Sequence, residues 1–170
     1  LGRAYARGIE FSIQKKLAEK LYGLVSFSYF RTRYRDLMGQ WRNRTFDNRF
    51  ILCISGGYKP NKKWEFNGRF IWSGNRAFTP VDVEQSIRVG YPWVPTENIY
   101  SDYLPDYQSL SVRVDRRWFF RKSNLVAYIG ALNLLDRENI IAKYWVPGAN
   151  QYETESTWGI FPYVGIEFEF

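Results

Sequence analysis

The side chains that could do chemistry are few in kind. The chain has no histidine, which removes Ser-His-Asp and Cys-His catalysis and nearly every common zinc or iron site. Its one cysteine, Cys53, lies in an apolar stretch and reads as a structural thiol. Two acid pairs, Asp82/Glu84 and Glu153/Glu155, have the residue type of a glycosidase. That reaction needs two carboxylates at a set separation around a sugar, and loop acids of this kind are ordinarily just solvated. The chain is therefore expected not to be an enzyme, and no cofactor or metal site is implied.

What remains is charge and aromatic surface. Lys plus Arg number 24 against 17 Asp plus Glu, a net charge of +7, and aromatics make up 19%. Arg31, Arg33, Arg35, Arg42, Arg44 and Arg49 crowd one short segment. A basic patch invites a nucleic-acid reading. These arginines alternate along strand ends instead of forming one helix face, so no nucleic-acid partner is expected. A phosphate-bearing surface suits them better, because arginine contacts phosphate bidentately. Loop aromatics Trp41, Trp93 and Trp145 are candidates for stacking on a ligand. Together with Arg31, Arg33, Arg42 and Arg44 they form the expected set facing a ligand or a phosphate-bearing surface.

The elements that position these groups follow a period of two. Ile9, Phe11 and Ile13 alternate with Glu10, Ser12 and Gln14. Val25, Phe27 and Tyr29 alternate with Ser26 and Ser28. Phe50, Leu52, Ile54 and Tyr58 oppose Cys53, Ser55 and Gly57, and Trp64, Phe66, Phe70 and Trp72 oppose Glu65, Asn67 and Arg69. Leu110, Val112, Val114 and Trp118 oppose Arg113 and Asp115. In the next strand Val126, Tyr128, Leu132 and Leu134 are read as the apolar face, against Ala127, Ala131 and Asn133. Val164, Ile166, Phe168 and Phe170 close the chain, against Gly165, Glu167 and Glu169.

This predicts seven strands and no helix, with connections alternating short and long. The long ones are about 36–45, 76–106 and 136–157. Mean hydropathy is −0.42 and the longest apolar run, Leu125 to Leu132, falls far short of a membrane helix. A transmembrane β-barrel keeps hydropathy low by alternation and puts its long loops on one side. Aromatics sit near both ends of the strands, as two interfacial girdles would: Trp72, Trp145 and Trp158 toward the long loops, and Tyr22, Tyr58, Trp64, Trp118, Phe120 and Phe170 toward the short turns. The expected fold class is thus all-β, an antiparallel transmembrane β-barrel, with apolar residues to lipid. Glu10, Glu65, Arg69, Arg113, Asp115 and Asn133 are then the lumen-facing candidates.

Several segments resemble the C-terminal part of the TonB-dependent outer-membrane receptors. They are Gly8-Ile9-Glu10, Phe46-Asp47-Asn48-Arg49, Gly56-Gly57-Tyr58-Lys59, and Ser73 to Pro80, where the family's "PYTP" is replaced by Ala77-Phe78-Thr79-Pro80. Leu104-Pro105-Asp106-Tyr107 followed by Leu110, Arg113 and Asp115 is similar to "LPDYHRLDLRV", with Gln108 and Ser111 in place of its His and Asp. Asn133 to Asn139 is similar to "NLFNRKN", and the chain ends in a strand with a terminal Phe. The resemblance runs over nearly all of residues 1–170. It implies about seven C-terminal strands of a larger barrel in the bacterial outer membrane, with plug and remaining strands lying elsewhere. The opening Leu-Gly-Arg-Ala-Tyr, without an initiator Met or a basic-then-apolar signal, is expected to belong inside a longer protein.

The implied function is energy-coupled uptake of a scarce nutrient: an iron chelate, cobalamin, a glycan or a peptide. The implied partners are outer-membrane lipid and lipopolysaccharide, the latter met by Arg31, Arg33, Arg42 and Arg44 where these do not bind ligand, the barrel-assembly machinery, and a TonB-type energy-coupling protein reached through the N-terminal part. A surface lipoprotein is a further partner that the resemblance allows. Two alternatives remain open on the residues alone. One is a self-contained small barrel with a structural or adhesive role, needing an eighth strand within 85–105. The other is a soluble calycin-like barrel.

Val164, Ile166, Phe168 and Phe170 match the terminal pattern that the assembly machinery reads. Deleting Phe170 is expected to lower outer-membrane levels of the protein more than its ligand affinity. Unchanged levels on immunoblots of purified outer membranes would refute that role.

Overall fold

The computed structural model describes residues 2–170. In chain order the elements are β1 (Arg3–Ala18), β2 (Leu21–Arg35), β3 (Trp41–Asn43), β4 (Phe50–Asn61), β5 (Trp64–Ser73), β6 (Ala77–Phe78), helix α1 (Val83–Val89), a 3-10 turn (Thr96–Asn98), β7 (Asp102–Tyr103), β8 (Tyr107–Phe119), β9 (Asn124–Leu132), β10 (Ile140–Val146), β11 (Gln151–Ser156) and β12 (Phe161–Glu169). The seven long strands form one antiparallel meander in the order β1-β2-β4-β5-β8-β9-β12, with β3 attached to β2. The fold is all-β and antiparallel, as the alternation requires. Among the described residues β1 and β12 do not pair, so the sheet has two free edges and does not close on itself.

Connections at one end are tight. Glu19 takes a left-handed φ of 57° between β1 and β2. The Asn61 side chain accepts from the Lys63 and Trp64 amides at 2.8 and 3.1 Å and locks the β4–β5 hairpin. The Phe120 amide donates to Ser123 O at 2.8 Å between β8 and β9. All three long connections leave from the opposite end. They carry local structure that the alternation did not disclose: β6 pairs with β7, and β10 with β11. Residues 83–89 are helical, capped by the Asp82 side chain on the Gln85 amide and closed by Gly90 at φ 76°. The segment offered as an eighth strand therefore holds no wall strand. Val89 ends a helix.

The two faces of the sheet differ sharply. One presents Ile9, Phe11, Ile13, Val25, Phe27, Ile54, Phe66, Ile129, Val164 and Ile166, all exposed, and Ile9 and Ile166 are 76% and 75% exposed. No layer of the described residues covers them. Among the described residues the buried apolar ones are Ala77, Leu104, Val126 and Trp145, and three of these four lie in the long connections. A soluble sandwich would bury the apolar face against a second sheet. This one leaves it bare.

The register corrects one facing. Arg113 pairs with Gly130 and Asp115 with Tyr128, so Val126 and Tyr128 share the polar face and Leu125, Ala127, Ile129 and Ala131 the apolar one. Both faces of β9 are built of apolar side chains, so its alternation carried no usable contrast. Tyr128 faces inward because its ring meets the Arg113 guanidinium, 3.9 Å from the centroid, and stands 6.2 Å from the Tyr163 ring. Tyr22 also turns inward, away from the girdle expected at that end, to reach Glu65 and Asn67.

Three inward tyrosines lie over glycines directly across the ladder: Tyr22 over Gly57, Tyr163 over Gly130 and Tyr128 over Gly165. A Cβ at Gly130 would fall 2.5 Å from the Tyr163 ring and 2.7 Å from Val112 O. The rings occupy the place of the missing side chains, the device known as aromatic rescue. Gly130→Val is expected to cost about 1–3 kcal/mol by overpacking. Its unfolding midpoint in urea checks this, with partial recovery in Gly130→Val/Tyr163→Ala. A midpoint equal to wild type would contradict the packing described.

Candidate functional site

Two groups of side chains stand out: a charged network on the polar face, and a pinned set of long loops above it.

The network centres on β5 and β8, where Glu65 pairs with Asp115 and Asn67 with Arg113. Glu65 is buried and receives Lys59 at 3.1 Å, Arg117 at 2.9 Å and the Tyr22 hydroxyl. Tyr22 also sits 2.6 Å from Asn67 Oδ1, and Asn67 Nδ2 donates to Asp115 Oδ2 at 3.1 Å. Arg113 Nε donates to Asp115 Oδ1 at 2.8 Å. Two nearly buried carboxylates thus meet three cations and two neutral partners. Left unpaired they would be costly, so the network braces the wall from inside.

The sheet is curved enough that residues of its outer strands line one cavity. A space of about 790 Å³ is bounded by Gln14 of β1, Ser55 of β4, Arg69 of β5, Arg113 of β8 and Tyr163 of β12, among others. Its lining includes Lys15, Lys16, Lys59, Arg69 and Arg113 and no carboxylate. Lys59 and Arg113 are neutralised by Glu65 and Asp115, whereas Lys16 and Arg69 have no ion-pair partner among the described residues. The cavity lining is cationic, while Glu10, Glu167 and Glu169 lie on the same face outside it.

The long loops are tied to one another by buried polar groups. Asp47, fully buried, accepts from the Thr32 amide at 2.7 Å, Tyr103 Oη at 2.7 Å and Arg31 Nη1 at 3.1 Å. Burial, then the bond to Asp47, pushes the Tyr103 hydroxyl above the ordinary tyrosine range, so it remains a donor at neutral pH. Arg49 lies 4.3 Å from the Tyr103 ring centroid and pairs with Asp106 at 3.3 Å. Arg42 Nε bonds Asp36 at 2.9 Å and its Nη1 donates to Glu97 O at 3.0 Å. Partial desolvation raises the Asp36 carboxyl, but Arg42 and the Gln40 amide outweigh it, leaving the carboxyl below its ordinary value. Asn139, 1% exposed, bonds both the amide and the carbonyl of Gln108 at 2.8 Å and so imitates a strand partner. Asn75 Nδ2 bridges to Pro105 O and Ile140 O, and the Val81 amide donates to Tyr152 Oη at 2.8 Å.

The structure separates residues that the sequence grouped together. Glu65, Arg113 and Asp115 form the network. Arg69 and Glu10 share its face but stand exposed, with no ion-pair partner among the described residues. Asn133 leaves the wall: at φ 51° just beyond β9, it donates to Arg137 O and Trp158 O and caps a loop. Arg31 and Arg42 are engaged by Asp47 and Asp36, whereas Arg33 and Arg44 pair with no acid among the described residues. Trp145 is buried against Tyr152, ring centroids 5.4 Å apart, and serves loop packing. Trp41 meets Tyr5 at 5.2 Å, and Trp93 stays 43% exposed beside Tyr91. Val164, Ile166, Phe168 and Phe170 all lie exposed on the apolar face.

Sequence reasoning missed Asp47, Asn75, Tyr103 and Asn139 as pins. Asp47 and Asn139 lie inside segments singled out for family resemblance, and the Asn and Asp content of those loops was the available signal. No family model matches the chain, and no curated protein matches it.

Asp47→Ala would strand three donors and is expected to cost about 1–3 kcal/mol per unsatisfied buried group. The long loops should then be cut by protease under conditions where the wild type resists. Stability from the Tyr103–Asp47 bond is present below the ordinary tyrosine range and is lost as pH rises through the raised value. Loops in Asp47→Ala as resistant as wild type would contradict the pinning.

Proposed function

We propose that this chain is part of the wall and outer loops of an outer-membrane β-barrel receptor that takes up a scarce nutrient by energy-coupled transport. The observation that carries the reading is the bare apolar face on a curved meander whose long connections all leave from one end. Lipid is the medium that would cover such a face without a second protein layer.

Three further observations support it. The opposite face is polar and lines a cavity, as a barrel interior does. Strands such as β1 and β2, at 16 and 15 residues, are long enough to cross a bilayer with tilt and extend beyond it. Both sheet edges are free, and an exposed edge of this length is a pairing site, which further wall strands would satisfy. The motif resemblance to TonB-dependent receptors supplies the transport function. Ligand would bind among the loops and a plug formed by other residues of the protein, and the energy-coupling protein would act on that plug. The residues present form wall, loops and assembly signal. The cationic cavity lining suits an anionic ligand or an acidic plug surface.

The self-contained barrel is less well supported, because 85–105 supplies no eighth wall strand. The soluble calycin-like reading conflicts with the bare apolar face.

The test is the native polypeptide that contains these residues, taken from purified outer membranes. It is expected to have a mass several-fold above 20.3 kDa and to migrate differently in SDS before and after heating. Uptake of the nutrient by cells expressing it should collapse when the energy-coupling protein is removed. A detergent-free soluble monomer would overturn the membrane reading, and uptake independent of that protein would overturn the transport reading.

A further inference from the structure

The register divides the arginines near the loops into two populations. Arg31, Arg42 and Arg49 point to Asp47, Asp36 and Asp106 and are spent on holding loops. A second set does not share this arrangement. Arg7 lies directly opposite Arg31 and Arg3 opposite Arg35, with Tyr5 opposite Arg33 between them. These positions continue the apolar face of β1 and β2, immediately beyond Ile9 and Tyr29 on the long-loop side.

Like charges placed directly across a ladder repel, and isolated pairs of this kind destabilise a sheet. Here Arg3, Arg7 and Arg33 have no carboxylate within ion-pair distance among the described residues. Arg33 Nε is in addition buried without a hydrogen-bond partner. Aromatic rings hold the cluster in place. Tyr5 on β1 and Trp41 on β3 meet across β2 with centroids 5.2 Å apart, and the Arg7 guanidinium lies 4.9 Å from the Tyr5 centroid.

Resting on the membrane reading above, we infer that Arg3, Arg7 and Arg33 form a site for the phosphate groups of an outer-leaflet glycolipid, seated against the Tyr5–Trp41 pair. The site is defined by its level. It begins where the apolar band stops, so a lipid whose chains lie along Ile9, Phe11 and Phe27 brings its headgroup phosphates to the arginines. Guanidinium forks match phosphate oxygens bidentately, and they tolerate partial burial better than lysine. The bound phosphate relieves the like-charge repulsion between Arg7 and Arg31 and between Arg3 and Arg35. Arg116 supplies an internal comparison. It lies on the same face near the short-turn end, 4.8 Å from the Trp64 and 5.4 Å from the Trp118 ring centroid, and would meet the inner leaflet.

The experiment measures lipid retained by the full protein purified in mild detergent, using native mass spectrometry with added bisphosphorylated lipid A. Arg7→Gln/Arg33→Gln is expected to retain about tenfold less than wild type, since both bidentate contacts are lost. Arg7→Lys/Arg33→Lys should fall between the two, and Arg116→Gln should match wild type. Dephosphorylated lipid A should bind wild type as weakly as bisphosphorylated lipid A binds the double Gln variant. Each variant's heat-dependent migration in SDS reports whether its barrel has formed.

Equal retention by a heat-modifiable double Gln variant overturns this inference and leaves the barrel reading intact. A wild type without heat-dependent migration overturns the barrel reading itself, and this inference with it. Displacement of the lipid by millimolar inorganic phosphate overturns the glycolipid assignment in favour of a free-phosphate site. Should the double Gln variant not assemble, wild-type discrimination between phosphorylated and dephosphorylated lipid A decides the matter, and no discrimination overturns the inference.

Discussion

A β-sheet satisfies its backbone hydrogen bonds along the ladder but can cover neither of its faces by itself, and in this chain one face carries a broad apolar band with arginines at its margins. Everything else in the structure is arranged around that condition. Antiparallel pairing across seven strands settles the amides and carbonyls in the interior of the sheet. The short turns keep neighbours adjacent, and the long connections gather at one end, where they leave the apolar face clear. Val126 is the one buried apolar side chain among the described residues of the sheet itself. Water is a poor solvent for such a surface, which is why lipid is the medium the proposal assigns to it.

The polar face is organised by pairing instead of by exclusion of water. Glu65 and Asp115 would be unfavourable alone, and each is matched by cations and hydrogen-bond donors from neighbouring strands. The tyrosine–glycine pairs do complementary work. They let bulky rings lie flat against the wall where the backbone has no side chain, so the concave side stays open around its cavity. The long loops follow the same logic with both charged and neutral donors. Asp47 and Asn139 replace the apolar core that loops of this size would otherwise lack. The result is a sheet stiffened from within and capped by loops that hold a fixed arrangement.

The strands were legible because their faces contrast: Glu65, Asn67 and Arg69 between Trp64, Phe66 and Phe70 admit one reading. β9 was misread because Leu125, Val126, Ala127, Tyr128 and Ile129 give no contrast, and only its pairing with Arg113 and Asp115 fixes which side is which. Helix α1 was hidden for a different reason. Asp82 and Gly90 are ordinary capping residues, but seven residues between Pro80 and Pro92 are too short for periodicity to declare a helix. The network members Glu65, Arg113 and Asp115 could be assigned to one face from spacing. Tyr22 as their partner, and the split of the arginines into loop-holding and free sets, depend on which strands are neighbours, and spacing within a strand holds no such information.

The central claim is that Phe66 and Phe70 face lipid while Asn67 and Arg69 face an aqueous interior. Spin labels placed singly at these four positions in a Cys53→Ala background test it most directly, with the protein reconstituted in bilayers. The account predicts that labels at 66 and 70 collide with dissolved oxygen far more than with a water-soluble nickel complex, and that labels at 67 and 69 show the reverse. All four positions open to the nickel complex would contradict it.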